Sequence, residues 1–550
     1  MSIESVCELS NVIAVAVLLD TARDSLRRRW KNLRRNVTKE GWRYIPHRIL
    51  QAARESTASL AHRAVVAPGE VEGLLRKAFP ERSLTLDDLA KRQGFSVRKV
   101  GNLNGPEAIR VLREYNADLG IVLGTRILKP TTFSIPRLGC INLHKGKVPE
   151  YRGMPPGFWE LYDGANTAGV TVHFVDSKLD TGDIVATGTI EISPKETPDS
   201  LREKLHEEGA STLARAVAAI QEGTAAPLPQ SHTATRARTR PTLKEVSLLR
   251  KRLRHWRGQR DLREILRNLF ALGLFHSGIH RVVRTSRRKS RAMIILYHRV
   301  NDFSQDVLTV GTDSFAAHLL ALSKYYPTMR SSDLVAHIGA RERIAPTTVL
   351  IHFDDCYLDV HTNGRPILKA AGLPATAFIS SGFIDTDRSF EHDRAKYPFH
   401  YQNCRVNNIR DWIADGFEIG SHTVNHIDLG ACNLSDARLE VFESKTHLQS
   451  IVNQSMMNQS MMDHPVSLFS FPFGGIRNIR PDTKELVRQA GYSALFSAHG
   501  GFVGTDTDIW DIPRLGVSSI THNALWLLME IEGLTPSAIA SRWKKRIQRS

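Results

Sequence analysis

The run Val349-Leu350-Ile351-His352-Phe353 ends in two adjacent carboxylates, Asp354 and Asp355, and no other stretch constrains the fold as strongly. A short apolar run of this kind reads as a buried strand. In parallel α/β sheets the place where a buried strand can end in charge is its C-terminal end, where sites are built. A second short strand, Phe417-Glu418-Ile419-Gly420, leads into Ser421-His422-Thr423-Val424-Asn425-His426. Two imidazoles four residues apart share one face of a helical turn, so both can reach one ion. Two histidines and a carboxylate leave coordination positions open, the arrangement of a catalytic metal rather than a structural one. Adjacent aspartates also allow a division of labour, one binding metal and the other acting as general base on a water. Each piece alone is equally well a solvated carboxylate pair or two surface histidines. Together, both at strand ends, they point to a metal centre.

With those residues in hand, 291 to about 520 resembles the polysaccharide deacetylase family (NodB-like, carbohydrate esterase family four). The family's Thr-Phe-Asp-Asp-Gly motif appears as His352-Phe353-Asp354-Asp355-Cys356, and its His-Ser/Thr-x-x-His motif as His422-Thr423-Val424-Asn425-His426. Leu296-Tyr297-His298-Arg299-Val300 and Phe471-Pro472-Phe473-Gly474 match further variants. The resemblance implies Asp354 as catalytic base and Asp355, His422 and His426 as ligands of zinc or another divalent ion. It also implies Pro472 and Phe473 as substrate-binding residues. Ser470 stands where the arginine of an Arg-x-Pro-Tyr/Phe motif would, and Cys356 replaces a glycine. The Leu-x-His motif that carries a general acid has Ile520-Thr521-His522 as its counterpart, which makes His522 the acid candidate. His298 follows the first strand of this half and is placed to line the same mouth. Repeated strand–helix units predict a deformed β/α barrel.

A chain of 550 residues exceeds one ordinary core and implies several domains. No apolar run approaches the ~20 residues of a membrane span. The run Val12 to Leu19 follows Glu4 and Glu8 rather than Lys or Arg, so it does not read as a signal peptide. The five cysteines are odd in number and show no Cys-x-x-Cys, which favours reduced thiols in a cytoplasm. Residues 236–291 hold 18 Lys+Arg against 3 Asp+Glu, so +15 of the chain's +17 sits in one segment and +2 remains for the rest.

Ahead of that segment, Val12 to Leu19 reads as a strand, and a basic helical stretch runs from Asp24 to Arg48. That stretch is either a solvated helix or a surface for anionic partners. Residues 60–230 alternate apolar runs with helical patterns, the signature of a parallel sheet. Ala108 to Tyr115 reads as a helix, with strands at Leu119–Gly124, Gly139–His144 and Val170–Val175. Asn142 and His144 are two apart on a strand and share a face. An amide, an imidazole and Asp180 make a workable acyl-transfer set: oxyanion donor, proton carrier and orienting carboxylate. From spacing alone this is weak, since a strand histidine is commonly structural.

The residues themselves resemble the formyltransferase family that uses 10-formyltetrahydrofolate. Asn142-Leu143-His144, Val148-Pro149-Glu150-Tyr151-Arg152-Gly153 and Leu179-Asp180-Thr181-Gly182-Asp183 match its signatures in order. The resemblance implies formyl transfer to an amine with Asn142, His144 and Asp180 catalytic. Pro149, Tyr151, Arg152 and Gly153 become the cofactor-binding candidates. It also implies a Rossmann-like parallel sheet, although the strand and glycine turn that open it are not seen ahead of Val12, so the first strand reads as missing.

The expected organisation is therefore a formyltransferase-like domain over 1–230, a basic amphipathic linker over 231–290, and a deacetylase-like domain over 291–550. Leu248, Leu249, Leu253, Trp256, Leu262, Ile265, Leu266, Leu269 and Phe270 recur at helical spacing among arginines in the linker. Such a helix either packs on a neighbouring domain or lies on an anionic membrane surface. Nucleic acid is disfavoured, because no stacking platform accompanies the charge. The reading is a cytoplasmic, membrane-peripheral, carbohydrate-modifying bifunctional enzyme. One half would be a metal-dependent hydrolase removing N-acetyl or N-formyl groups from amino sugars. The other would formylate an amino sugar, with lipid-linked or nucleotide-linked sugars as substrates. The alternatives are a methionyl-tRNA formyltransferase with a passenger domain, and a non-catalytic glycan- or membrane-binding protein on decayed enzyme folds.

Overall fold

The computed structural model describes residues 13–21, 26–230, 237–254, 256, 261–286, 291–304, 306–456, 465–519, 522–536 and 538. Val12, Asp24, Ile520 and Thr521, each part of an expected element or motif, lie outside the described residues. The chain forms two compact units. Their bounds differ from the expected ones: the linker divides, with residues to 259 in the first unit and those from 260 in the second. Residues 50–82 also belong to the second unit, where the helix Pro68–Ala78 packs against the helices Thr312–Tyr325 and Arg365–Ala371.

In the first unit β1 (Ala16–Asp20) pairs in parallel with β2 (Ser96–Val100). A second sheet has the order β3 (Gly120–Val122), β4 (Cys140–His144), β5 (Thr167–Phe174), β6 (Ile184–Glu191). Leu18 and Val122 pack on one small core with Val100, Leu103, Ala108 and Leu128, and Arg126 pairs with Asp20. The expected helix at 108–115 is Pro106–Tyr115. The parallel expectation holds for β1/β2 and β3/β4, but β4/β5 and β5/β6 are antiparallel. The loop from Phe174 to Ile184 is shorter than the dozen or more residues a parallel crossover needs. The main core joins Ile141, Leu143, Val170 and Val172 of the sheet to Leu201, Leu205 and Leu213 of the helix Pro198–Gln221. Leu249 of the helix Leu243–Arg252 closes it.

The second unit holds β7 (Arg291–Tyr297), a small ladder of β8 (Arg299–Val300) and β9 (Thr309–Val310), then β10 (Pro346–Phe353), β11 (Thr376–Ile379), β12 (Glu418–Ser421), β13 (Leu468–Ser470), β14 (Ala494–Phe496) and β15 (Leu515–Gly516). Seven of these strands form a parallel sheet in the order β14-β13-β12-β11-β10-β7-β15. The sheet is a curled half-barrel rather than a closed one. Segment 503–516 runs across its seam, with Val503 bridging Ala292 and Ile512 bridging Phe496. β7 and β10 are buried along nearly their whole length, as a parallel strand covered on both faces must be. All parallel strands point their C-terminal ends to one rim, which places Asp354-Asp355, His422 and Phe471-Pro472-Phe473 around one mouth.

Candidate metal centre and candidate formyl-transfer site

Asp354 and Asp355 leave the end of β10, and His422 leaves β12 two strands away. The pair His422/His426 does not sit on a helical turn as expected. It lies on a loop turned by positive φ at Thr423 (68°) and His426 (57°). Glu440, on the helix Leu434–Met456, accepts from the Val424 and Asn425 amides and the Asn425 side chain at 2.7–2.8 Å, and Thr423 Oγ1 accepts from the His426 amide. Asp355 (82°), Cys356 (112°) and Phe473 (63°) also have φ in the left-handed region. Non-glycine residues there cost about 1–3 kcal/mol each and gather at sites where geometry serves chemistry. Cys356 occupies the most strained of these positions, where the related motif has a glycine.

His422 Nε2 and His426 Nε2 lie 3.6 and 3.2 Å from Asp355 Oδ1. His422 Nδ1 faces the Ser470 carbonyl at 2.8 Å and must donate to it, so Nε2 presents a lone pair to the carboxylate. Both oxygens of Asp355 are buried and accept no hydrogen bond among the described residues. Asp355 Oδ1 and the two imidazole nitrogens thus converge on one point. The two distances to Asp355 Oδ1 bracket the ~3.4 Å edge of a tetrahedron with metal bonds of about 2.1 Å. Among the described residues these three side chains form the cluster able to hold an ion. The residues fit a divalent cation, and burial drives the His422 pKa down to about 4, which keeps it in the ligating neutral form. Burial alone would raise the Asp355 carboxyl, but the imidazoles of His426, His392 and His298 outweigh it and hold it well below the usual range.

Asp354 is held differently. Arg514, just before β15, donates from Nη1 and Nη2 to its two oxygens at 2.7 and 2.8 Å. The same guanidinium donates to Ser470 Oγ at 2.6 Å and to the Ser497 carbonyl at 3.0 Å. Ser470 stands where the related motif has its arginine, and Arg514 fills the space that serine leaves. Burial pushes the Asp354 carboxyl up, yet the guanidinium and His422 hold it below its ordinary value. Sequence reasoning missed Arg514 because no short motif links it to Asp354, 160 positions earlier.

His392 was also missed. Its Nε2 lies 3.8 Å from Asp355 Oδ2 and its ring 5.2 Å from that of His426. Tyr357 accepts from His392 and donates to Asp393, which Arg299 binds at 2.5 Å. His298 is half-buried near both carboxylates, as expected, and burial lowers its pKa. His522 is not brought to this mouth. It lies buried beside Arg267, with its carbonyl accepting from His318. Of the expected substrate-binding pair, Pro472 is buried, while Phe473 is 52% exposed with its ring 4.9 Å from His426.

In the first unit Asn142, His144 and Asp180 do come together. Asn142 Nδ2 lies 3.5 Å from Asp180 Oδ1, and His144 Nδ1 lies 3.5 Å from Asp180 Oδ2. His144 Nε2 donates to the Tyr151 carbonyl at 2.9 Å and the Gly153 amide donates to Asp180. The Pro149–Gly153 loop therefore packs on the triad through its backbone. A Cβ on Gly146 would come within 2.4 Å of the Tyr151 carbonyl, so the loop can close only over a glycine. His173, unexpected as a site residue, adds a contact to Asn142 at 3.2 Å and one to Asp180 at 3.6 Å. Burial raises the Asp180 pKa, but His173 and His144 outweigh it and leave the carboxylate below its ordinary value.

Residues 47–217 match the formyl transferase family, and residues 342–495 match the polysaccharide deacetylase family. The chain carries a formyl transferase domain and a polysaccharide deacetylase domain. Over the formyl transferase domain it is 37% identical to a methionyl-tRNA formyltransferase of Agathobacter rectalis across 145 residues, which is 26% of this chain and 47% of that one. The chain spans about half the length of the curated relatives it matches. Among solved structures, a Streptococcus pyogenes deacetylase in complex with acetate aligns at 20% identity and a TM-score of 0.35, covering 42% of this chain and 93% of that one. A Bacillus halodurans phosphoribosylglycinamide formyltransferase aligns at 22% identity and 0.23, covering 24% and 72%.

Proposed function

We propose that the deacetylase domain is a metal-dependent N-deacylase acting on amino sugars, and that the formyl transferase domain transfers a formyl group from 10-formyltetrahydrofolate to an amino sugar. The observation that carries the first part is the convergence of His422 and His426 on Asp355, whose buried oxygens accept no hydrogen bond among the described residues, beside an Asp354 fixed by Arg514. A divalent ion held by Asp355, His422 and His426 would lower the pKa of a water and polarise an amide carbonyl. Asp354 accepts the proton of the attacking water, held in place by two charge-assisted hydrogen bonds. Phe473 offers an apolar face at the mouth for a sugar ring. In the other domain Asn142 donates to the developing oxyanion, while His144 carries the proton and Asp180 orients and charges it.

The two chemistries are complementary: one uncovers an amine and the other acylates one. That pairing supports a glycan precursor or lipid-linked sugar as substrate. The relatives named methionyl-tRNA formyltransferases are matched over about half of their length. Beyond Gln221 this chain forms the helices Leu243–Arg252, Asp261–His276 and Ile279–Ser286, where a tRNA enzyme carries a β-rich domain. The test is to offer the full-length, zinc-loaded protein paired N-acetyl and N-formyl amino sugars and score both released acids. Parallel reactions with 10-formyltetrahydrofolate and free amino sugars score consumption of the cofactor. Release of either acid, absent in Asp354→Asn, supports the hydrolase. No acid and no cofactor consumption would leave a binding protein as the account.

A further inference from the structure

The helix Asp261–His276 wears its amphipathicity the wrong way round. Its inward face is mixed: Ile265, Asn268 and Ala271 are buried, Asn523 donates to Asn268 at 2.9 Å, and Arg267 lies over Trp526. Those partners lie at the N-terminal end of the helix Ala524–Ile531, against which it packs within the second unit. The outward face carries Leu262 (58% exposed), Leu266 (58%), Leu269 (51%) and Phe270 (38%). At 3.6 residues per turn these four fall within one stripe about 100° wide. A soluble surface helix puts such a stripe inward. The next helix, Ile279–Ser286, continues the exposed apolar surface with Ile279 and Val282 and adds Arg281 and Arg284. Asn268 and Trp526 already hold the inner face, so the leucine stripe is not what fastens the helix to its unit.

The charge around the stripe selects its partner. Residues 260–291, the part of this basic stretch that belongs to the second unit, contain 9 Lys+Arg and 2 Asp+Glu. A second copy would bring the same charge against itself. A nucleic acid would leave the leucines in water, with no stacking ring to gain. An interface of anionic phospholipid satisfies both features, burying the leucines at the acyl boundary and setting the arginines among headgroups. We propose that the outward face of the Asp261–His276 and Ile279–Ser286 helices is a peripheral membrane-binding surface selective for anionic lipid. This stands independently of the chemistry proposed above, and it would bring the deacetylase domain to a lipid-borne substrate.

The test is sedimentation of the full-length protein with phosphatidylcholine vesicles, with and without a third of the lipid replaced by phosphatidylglycerol. Binding is expected only to the anionic vesicles and should fall as salt rises. Leu266→Glu/Leu269→Glu should weaken it about tenfold or more. Both positions point to solvent, so the melting curve should not move. Arg281→Glu should weaken it less. The proposal is overturned if the protein ignores anionic vesicles, or if the double variant binds them as well as wild type. It is equally overturned if the stripe proves to mediate a dimer in sedimentation equilibrium without vesicle binding, or if only RNA is bound, insensitive to the leucine changes.

Discussion

Arg514→Ala isolates the part of the deacetylase site that no motif announces. Arg514 is fully buried and Asp354 nearly so, and they share two hydrogen bonds of 2.7 and 2.8 Å. Removing one partner of a buried ion pair leaves the other charge uncompensated, at a cost of about 3–5 kcal/mol. Part of this cost can be escaped by protonating Asp354, since burial pushes its carboxyl up once the guanidinium is gone. A protonated or displaced Asp354 is no base, and misplacement of a reacting group by ~1 Å costs about 10²-fold in rate. Arg514 touches neither Asp355 nor either histidine ligand through any described hydrogen bond, so ion binding should survive. The expected result is a denaturation free energy lower by at most about 3–5 kcal/mol, kcat on the N-acyl sugar down about 10²-fold, KM nearly unchanged, and one ion still bound. Adding Ser470→Arg to Arg514→Ser should return at least tenfold of the lost rate, because Ser470 Oγ already lies 3.4 Å from Asp354. If Arg514→Ala turns over within threefold of wild type while Asp354→Asn is dead, the guanidinium does not position the base.

Other expectations concern separate elements. Asp355→Ala or His422→Ala should abolish retention of a divalent ion through dialysis, read by metal analysis, while leaving formyl transfer intact. His144→Ala and Asp180→Asn should each lower formyl transfer by about 10²–10⁴-fold without changing acid release by the other domain. Burial pushes the Glu160 carboxyl up to about 7. A raised carboxyl contributes stability that is present below its unfolded value of about 4.5 and lost as pH rises through about 7. Glu160→Gln should therefore remove about 2–3 kcal/mol of pH dependence between pH 5 and 8, read as the difference between melting curves of wild type and variant.

Sequence range decides which features of the fold and the sites were legible. Asp354-Asp355 and His422/His426 could be read because each pair sits at the end of a buried strand, and strand ends in a parallel sheet converge on one rim. Asn142 and His144 were legible because they stand two apart on one strand and share a face, and Asp180 because it lies in a motif that follows in order, although antiparallel β5 is what places His173 against Asn142 and Asp180. The helical turn expected for His422/His426 failed because Glu440 offers the loop amides a better acceptor than a helix would. Arg514 and His392 were illegible because tertiary packing alone joins them to the carboxylates. His522 was read from a three-residue pattern, and packing against His318 and Arg267 takes it elsewhere. The periodicity of the linker helices predicts one amphipathic element. The fold divides them between two units and reverses the face of the second, an outcome that periodicity does not encode.

The most direct test of the central claim is acid release by full-length protein stripped of metal and titrated with zinc. The account predicts release that climbs linearly and levels off at one equivalent per chain, with Asp354→Asn binding the same equivalent and releasing nothing. Release that is already maximal without metal, or that persists in Asp354→Asn, would contradict it.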